Sequence, residues 1–269
     1  MRILVFDSGV GGLSVAREIG KALPGVGMDY VADLAVFPYG ALEPGVLIDR
    51  VLSLMETALA ALDPAALVIA CNTASTLVLP PLRARFKLPI VGTVPAVKPA
   101  AEHSRSRLAS VLATPGTVKR DYTRGLIDRF GGDCRFTLVG SMVLAELVER
   151  AVSGESVTDA ELLAEIAPCF VEEAGRRTDT VVLACTHYPL VLDRLRALAP
   201  WPVEWIDPAP AIARRVATVT AGAGRSRDEG APHRFFSTGR RPVPAMLDAF
   251  GFEDGGDLFA GEALKIARG

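Results

Sequence analysis

Leu67-Val68-Ile69-Ala70-Cys71-Asn72-Thr73-Ala74-Ser75 is the stretch from which the fold is read. A β-branched apolar run delivers a cysteine to a polar cluster, and a helical pattern follows. The chain repeats the arrangement at Val181-Val182-Leu183-Ala184-Cys185-Thr186-His187-Tyr188-Pro189. Short apolar runs without alternation suit strands covered on both faces of a sheet, which is the situation of a parallel strand.

Outward from these two runs, strand-like and helix-like patterns alternate. The first half is read as strands at Ile3–Phe6, Met28–Val31, Leu67–Ala70 and Pro89–Gly92. Helices are expected over Leu13–Leu23, Val46–Leu62 and Ser75–Phe86, the last broken or kinked at Pro80-Pro81. The pattern then restarts, with strands at Leu108–Ala113, Phe136–Val139, Val181–Ala184 and Val203–Ile206. Its helices are expected near Lys119–Phe130, Val143–Val152, Asp159–Gly175, Leu190–Leu198 and Ala209–Thr220. This alternation predicts an α/β fold with mainly parallel sheets. Leu4-Val5-Phe6-Asp7-Ser8-Gly9 is echoed by Val111-Leu112-Ala113-Thr114-Pro115-Gly116, and the two Ala-Cys segments follow at similar intervals. Two similar domains are therefore expected, residues 1–94 plus 207–269 and residues 95–206. Residues 221–233 read as an exposed loop.

At 269 residues, 50% of them hydrophobic, the chain can bury a sizeable core. A net charge of -2 leaves no electrostatic footprint for nucleic acid or an anionic membrane. No apolar run is long enough to span a bilayer, and Asp7 interrupts the first strand too early for a signal peptide. A cytoplasmic protein with reduced thiols is expected, and Cys71, Cys134, Cys169 and Cys185 form no CxxC pair.

Ligands of open parallel sheets bind outside the carboxyl ends of strands. Five such ends carry polar or small residues: Asp7-Ser8-Gly9, Cys71-Asn72-Thr73, Gly92-Thr93, Thr114-Pro115-Gly116 and Cys185-Thr186-His187. A free cysteine is usually an inert core thiol. Cys71 and Cys185 differ because hydrogen-bonding residues and a helix start follow each, and a helix amino terminus favours thiolate. Cys134 and Cys169 lack that context and read as structural. Two thiols in matching contexts suit exchange of a Cα proton from opposite faces. His187 can donate a proton or stabilise a thiolate. Zinc held by Cys71, Cys185 and His187 is conceivable, but the spacings match no zinc signature, and no metal is expected. Asp7 suits capping the first turn, a substrate ammonium, or assistance to Cys71. Glu149, on an amphipathic stretch, reads as a solvated face. Gly9-Val10-Gly11-Gly12-Leu13-Ser14 places Ser14 where a dinucleotide fingerprint needs glycine. Its glycines are expected to bring backbone amides to a small carboxylate. A cysteine hydrolase using Cys185 and His187, and a non-enzymatic amino-acid-binding protein, are the competing classes.

Taken together, DSGVGGLSV (7–15), PYG (38–40), ACNTAS (70–75), GTVPAVKPA (92–100), ATPGTV (113–118), LVE (147–149), ACTHYPL (184–190) and RFFSTG (234–239) resemble the glutamate racemases of the cofactor-independent aspartate/glutamate racemase family. The resemblance implies two flavodoxin-like domains with the active site in the cleft between them. It implies racemisation of glutamate for bacterial peptidoglycan, no cofactor, and a homodimer. It assigns Cys71 to the proton of D-glutamate and Cys185 to that of L-glutamate, with Asp7, Glu149 and His187 assisting. Ser8, Pro38, Tyr39, Gly40, Asn72, Thr73, Thr114, Thr117 and Thr186 then match substrate contacts. Ser141-Met142 stands where the family carries Cys-Pro ahead of LVE, and the sequence after PYG, Ala41-Leu42-Glu43-Pro44, is unusual. The chain opens directly on strand one, so no regulatory site built on an amino-terminal extension is expected.

Overall fold

The computed structural model describes residues 1–222 and 230–259. Most of the loop expected at 221–233, including Arg225 and Arg227, lies outside the described residues. The chain divides into two compact units, Met1–Thr93 with Ala209–Gly269, and Val94–Pro208.

In the first unit the elements run β1 (Arg2–Asp7), α1 (Leu13–Ala22), β2 (Gly27–Ala32), α2 (Pro44–Leu62), β3 (Ala66–Ile69), α3 (Asn72–Arg85) and β4 (Ile90–Gly92). The second unit holds α4 (Val97–His103), β5 (Leu108–Ala113), α5 (Pro115–Val118), α6 (Asp121–Phe130), β6 (Arg135–Gly140), α7 (Leu144–Val152) and α8 (Asp159–Ile166). It continues with β7 (Glu172–Glu173), β8 (Arg176–Arg177), β9 (Thr180–Ala184), α9 (Leu192–Leu198) and β10 (Glu204–Ile206). The chain then returns to the first unit with α10 (Ala209–Thr220), β11 (His233–Ser237), α11 (Pro244–Phe250) and β12 (Phe252–Asp254).

The first sheet has the order β12-β11-β2-β1-β3-β4 and the second β10-β9-β5-β6, every pairing in both being parallel. Read from the matching edge, β6-β5-β9-β10 repeats β2-β1-β3-β4 strand for strand. In each unit the cysteine-bearing strand lies beside the first strand of that unit, where the order reverses. Such switch points open a crevice at the carboxyl ends of the two central strands. Leu67, Val68 and Ile69 are fully buried, as are Val181, Val182 and Leu183. Burying one such side chain stabilises the fold by about 1.5–3 kcal/mol.

Four local expectations are revised. Helix α3 begins at Asn72 rather than Ser75, and Pro80 and Pro81 lie inside it without ending it. Each proline forfeits a backbone donor, but Val78, Leu79 and Leu82 bury the helix face in the core. Leu79 fills the space over Gly92, where a Cβ would stand 2.3 Å from its Cδ1. Helix α8 stops at Ile166 instead of reaching Gly175, giving way to a 3-10 turn at Ala167–Cys169 and the antiparallel β7–β8 pair. Pro168 and the left-handed Ala174 and Gly175 account for the break. A helical turn, Pro115–Val118, precedes the helix expected from Lys119, which starts at Asp121. After Cys185 comes a 3-10 turn, Tyr188–Val191, before α9 starts at Leu192.

Candidate active site

The register that pairs Phe6 with Ile69, carried two residues on, sets Ser8 beside Cys71. The register of the second sheet pairs Ala113 with Ala184 and so sets Thr114 beside Cys185. Ser8, not Asp7, is thus the counterpart of Thr114, one residue off the echo visible in the sequence.

Cys71 is the N-cap of α3, and its sulfur accepts from the Ala74 amide at 3.5 Å. The Ser8 hydroxyl lies 3.6 Å from the same sulfur. A sulfur at the positive end of a helix, with an amide aimed at it, holds negative charge better than one in an apolar core. Ser75, inside the helix, ties the strand ends together. Its hydroxyl donates to the Ile69 carbonyl at 3.1 Å and accepts from the Thr93 amide at 3.0 Å.

Asp7 is fully buried at the end of β1. Its carboxylate accepts from the Ser8 amide at 2.8 Å and from the Gly12 amide at 2.5 Å. One amide of the glycine turn, that of Gly12, therefore serves this side chain. Gly12 must be glycine for this approach. A Cβ there would stand 2.7 Å from the Tyr30 hydroxyl and 2.9 Å from the Ala70 Cβ.

Beneath Cys71 lies a network that sequence reasoning misses. Asp33, fully buried after β2, accepts from Arg50 Nη2 at 2.7 Å and Nε at 3.0 Å. The Tyr39 hydroxyl donates to it at 2.6 Å, and the Thr238 hydroxyl at 2.5 Å. Pro38-Tyr39-Gly40 is thereby pinned through its central side chain, in a 3-10 turn that follows a cis Phe37–Pro38 bond. Burial first, then the Asp33 charge, pushes the Tyr39 phenol well above its ordinary pKa. In the sequence, Asp33 shows only as an acid near the end of a strand. Its partners lie 6, 17 and 205 residues away.

Cys185 is served differently. His187 Nδ1 lies 3.7 Å from its sulfur, and Nε2 lies 2.9 Å from Glu149 Oε1. Glu149, on α7, is 4% exposed, and the solvated reading of its helix face is corrected accordingly. The Ser141 hydroxyl accepts from the first amide of this helix, that of Leu144, at 2.8 Å and donates to Glu165 at 2.6 Å. Burial by itself would lower the His187 pKa. The hydrogen bonds and charges of Cys185 and Glu149 outweigh it and hold the pKa well above the ordinary value. A raised pKa favours the imidazolium, whose two N–H groups can both donate, with Nδ1 facing the sulfur and Nε2 the carboxylate. A protonated donor on a sulfur stabilises its thiolate.

A pH signature follows. A raised folded pKa contributes stability that is complete below the unfolded value of roughly 6.5 and is lost as pH rises through the folded value. Replacing Glu149 with Gln is expected to drop the His187 titration toward or below 6.5, because burial is then less opposed. The NMR titration of the ring, assigned with a His187→Asn control, reads the shift. An unmoved midpoint would show that Glu149 does not hold the proton.

The remaining expected contacts lie just beyond strands β3, β5 and β9. Asn72, Thr73, Thr114, Thr117 and Thr186 are buried, and the Thr114 and Thr117 hydroxyls lie 3.2 Å apart. Among the described residues, three buried side-chain polar atoms lack a hydrogen-bond partner: Asn72 Oδ1 and Nδ2, and the Tyr188 hydroxyl. Leaving such atoms unpaired costs about 1–3 kcal/mol each. All three closely follow a strand-end cysteine. Cys134 and Cys169 are both buried. Burial raises the first thiol and pushes the second up to about 12. No three His, Cys, Asp or Glu side chains among the described residues gather as a metal site. No helix among them is long and apolar enough to cross a membrane.

Residues 41–216 match the family model described as Asp/Glu/Hydantoin racemase. The chain is 51% identical over 258 residues to a glutamate racemase of Brucella canis, covering 93% of this chain and 92% of that protein. It is 52% identical over 253 residues to one from Mesorhizobium japonicum, covering 93% and 97%. The fold matches the crystal structure of Escherichia coli glutamate racemase in complex with L-glutamate and the activator UDP-MurNAc-ala. The TM-score is 0.87 at 38% identity, over 94% of this chain and 96% of that one.

Proposed function

The chain belongs to the Asp/Glu/Hydantoin racemase family and is an isomerase, and on that premise we propose that it interconverts L- and D-glutamate by moving the α-proton between Cys71 and Cys185. In the L-to-D direction the Cys185 thiolate takes the α-proton, breaking C–H and forming S–H. The electron pair left on Cα spreads into the substrate carboxylate. The Cys71 thiol delivers its proton to the opposite face, and the two sulfurs have exchanged protonation states. The return reaction begins from that exchanged state.

One observation carries this reading: each sulfur has its own means of holding negative charge. Cys71 has a helix amino terminus and Ser8. Cys185 has the His187–Glu149 pair. A thiol is otherwise only a few per cent ionised at neutral pH. Asn72, with both amide atoms unpartnered, suits a polar substrate group. Asp7, Ser8, Pro38, Tyr39, Gly40, Thr73, Thr114, Thr117, Thr186 and His187 complete the proposed substrate contacts. Supply of D-glutamate to peptidoglycan, a cytoplasmic location and a homodimer belong to the same reading and rest on the family resemblance.

Circular dichroism of amino acids incubated with the pure protein is the test. L-Glutamate is expected to lose its signal completely with no cofactor added, while L-aspartate keeps its own. Faster decay of the aspartate signal would reassign the substrate. Decay of neither would remove racemisation itself.

A further inference from the structure

Ser141 joins β5, α7 and α8 of the second unit. It is buried and comes directly after β6. Its amide donates to the Ala113 carbonyl at 2.9 Å, which fastens it to the end of β5. Its hydroxyl accepts from the Leu144 amide, the first of α7, and donates to Glu165 of α8. A serine hydroxyl has one proton to give and lone pairs to receive another, and here both functions are in use. The first amides of a helix have no partner within it, so the Leu144 amide relies on a group outside α7.

Glu149 stands further along the same helix, roughly 7.5 Å beyond Leu144 at the standard rise. Its carboxylate meets His187 Nε2 at 2.9 Å, and His187 Nδ1 lies 3.7 Å from the Cys185 sulfur. Helix α7 also packs on the 3-10 turn that follows His187. Hydrogen bonds weaken steeply as their angle departs from the preferred range, so the seat of α7 matters to the ring.

We propose that Ser141 is a positioning residue for the Cys185 site, its hydroxyl seating the start of α7 so that Glu149 reaches His187. The inference rests on the two-thiol reading above. Without the hydroxyl, the Leu144 amide and the Glu165 carboxylate both lose a partner, and the first turn of α7 is held by less. Glu149 then holds the proton on His187 less firmly, and the sulfur loses part of its donor. The titratable groups acting on His187 are Cys185 and Glu149, while Glu165 of α8 acts on Ser141.

Ser141→Ala removes the hydroxyl, and Ser141→Thr restores it. NMR titration of the His187 ring is expected to show a midpoint roughly 0.5–1 pH unit lower in Ser141→Ala, the worth of one hydrogen bond. The kcat/KM for L-glutamate is expected to fall roughly three- to tenfold, chiefly in kcat. Ser141→Thr is expected to recover most of both. In a Glu149→Gln background, Ser141→Ala is expected to add no further shift, because the group it acts through is gone. Glu165→Ala, which keeps Ser141, is expected to shift the midpoint in the same direction by less, and it decides the matter if Ser141→Ala does not fold. An unmoved His187 midpoint, even with a lower Tm, would make Ser141 a purely structural residue and overturn the proposal. So would an equal shift in the Ala and Thr variants, or a full shift in the Glu149→Gln background. A Cys185→Ser arm separates the two readings. If that variant still racemises glutamate, the two-thiol mechanism fails. If it is inactive while the Ser141→Ala titration matches the wild type, only the role of Ser141 fails.

Discussion

Cys185→Ser is expected to stop racemisation while leaving D-glutamate able to exchange its α-proton with solvent. Cys71→Ser is expected to show the converse, exchange of L-glutamate without inversion. The reason lies in the assignment of the two sulfurs. With Cys185 gone, Cys71 can still take the proton of D-glutamate and return one from the same face, but nothing supplies a proton to the other face. Interconversion should fall by roughly 10²–10⁴, the range for a positioned acid or base. Because the products are mirror images, kcat/KM must fall equally in both directions, so the distinguishing signal is the isotope pattern. Proton NMR of each enantiomer in D2O with each variant gives it. Two variants that racemise near the wild-type rate, or a Cys185→Ser enzyme that exchanges only L-glutamate, would contradict the assignment.

Arg50→Ala should produce the largest loss of stability. Asp33 is fully buried and Arg50 is 6% exposed, so the charge left behind has no route to water. Removing one member of such a pair costs about 3–5 kcal/mol, a large part of a typical domain's 5–15 kcal/mol. Tyr39 and Thr238 still donate to the carboxylate, but neither carries charge. The double variant Asp33→Leu/Arg50→Met should be less damaging than Arg50→Ala, since no uncompensated charge remains. Urea denaturation of the three proteins reads this directly. A loss below about 1 kcal/mol in Arg50→Ala would show the pair behaving like an exposed one.

The alternation of elements, the parallel sheets and the two cysteine-bearing strand ends were legible because each is a local pattern. Leu67–Ile69 and Val181–Leu183 declare buried strands with no help from distant residues. The misreadings have a common source in contacts the sequence does not display. Pro80-Pro81 signals a helix end, yet burial of Val78, Leu79 and Leu82 outweighs the lost donors. Glu149 has the spacing of an exposed face until His187, 38 residues on, is known to receive it. A helix start after each cysteine holds for Cys71 alone. At Cys185 the turn is 3-10, and the charge is held by a side-chain pair instead. Asp33 and Thr238 are separated by 205 residues, and no periodicity joins them.

The first unit is discontinuous, and this bears on how the chain is made. A ribosome completes residues 94–208 before it reaches β11, so the second unit can fold while the first still lacks two strands. Until residues 233–237 emerge, β2 is the border of a four-stranded sheet, and Asp33 waits for the hydroxyl of Thr238. The nascent protein therefore carries an open sheet margin and an incompletely solvated carboxylate through most of its synthesis. Both are closed once β11 and Thr238 emerge.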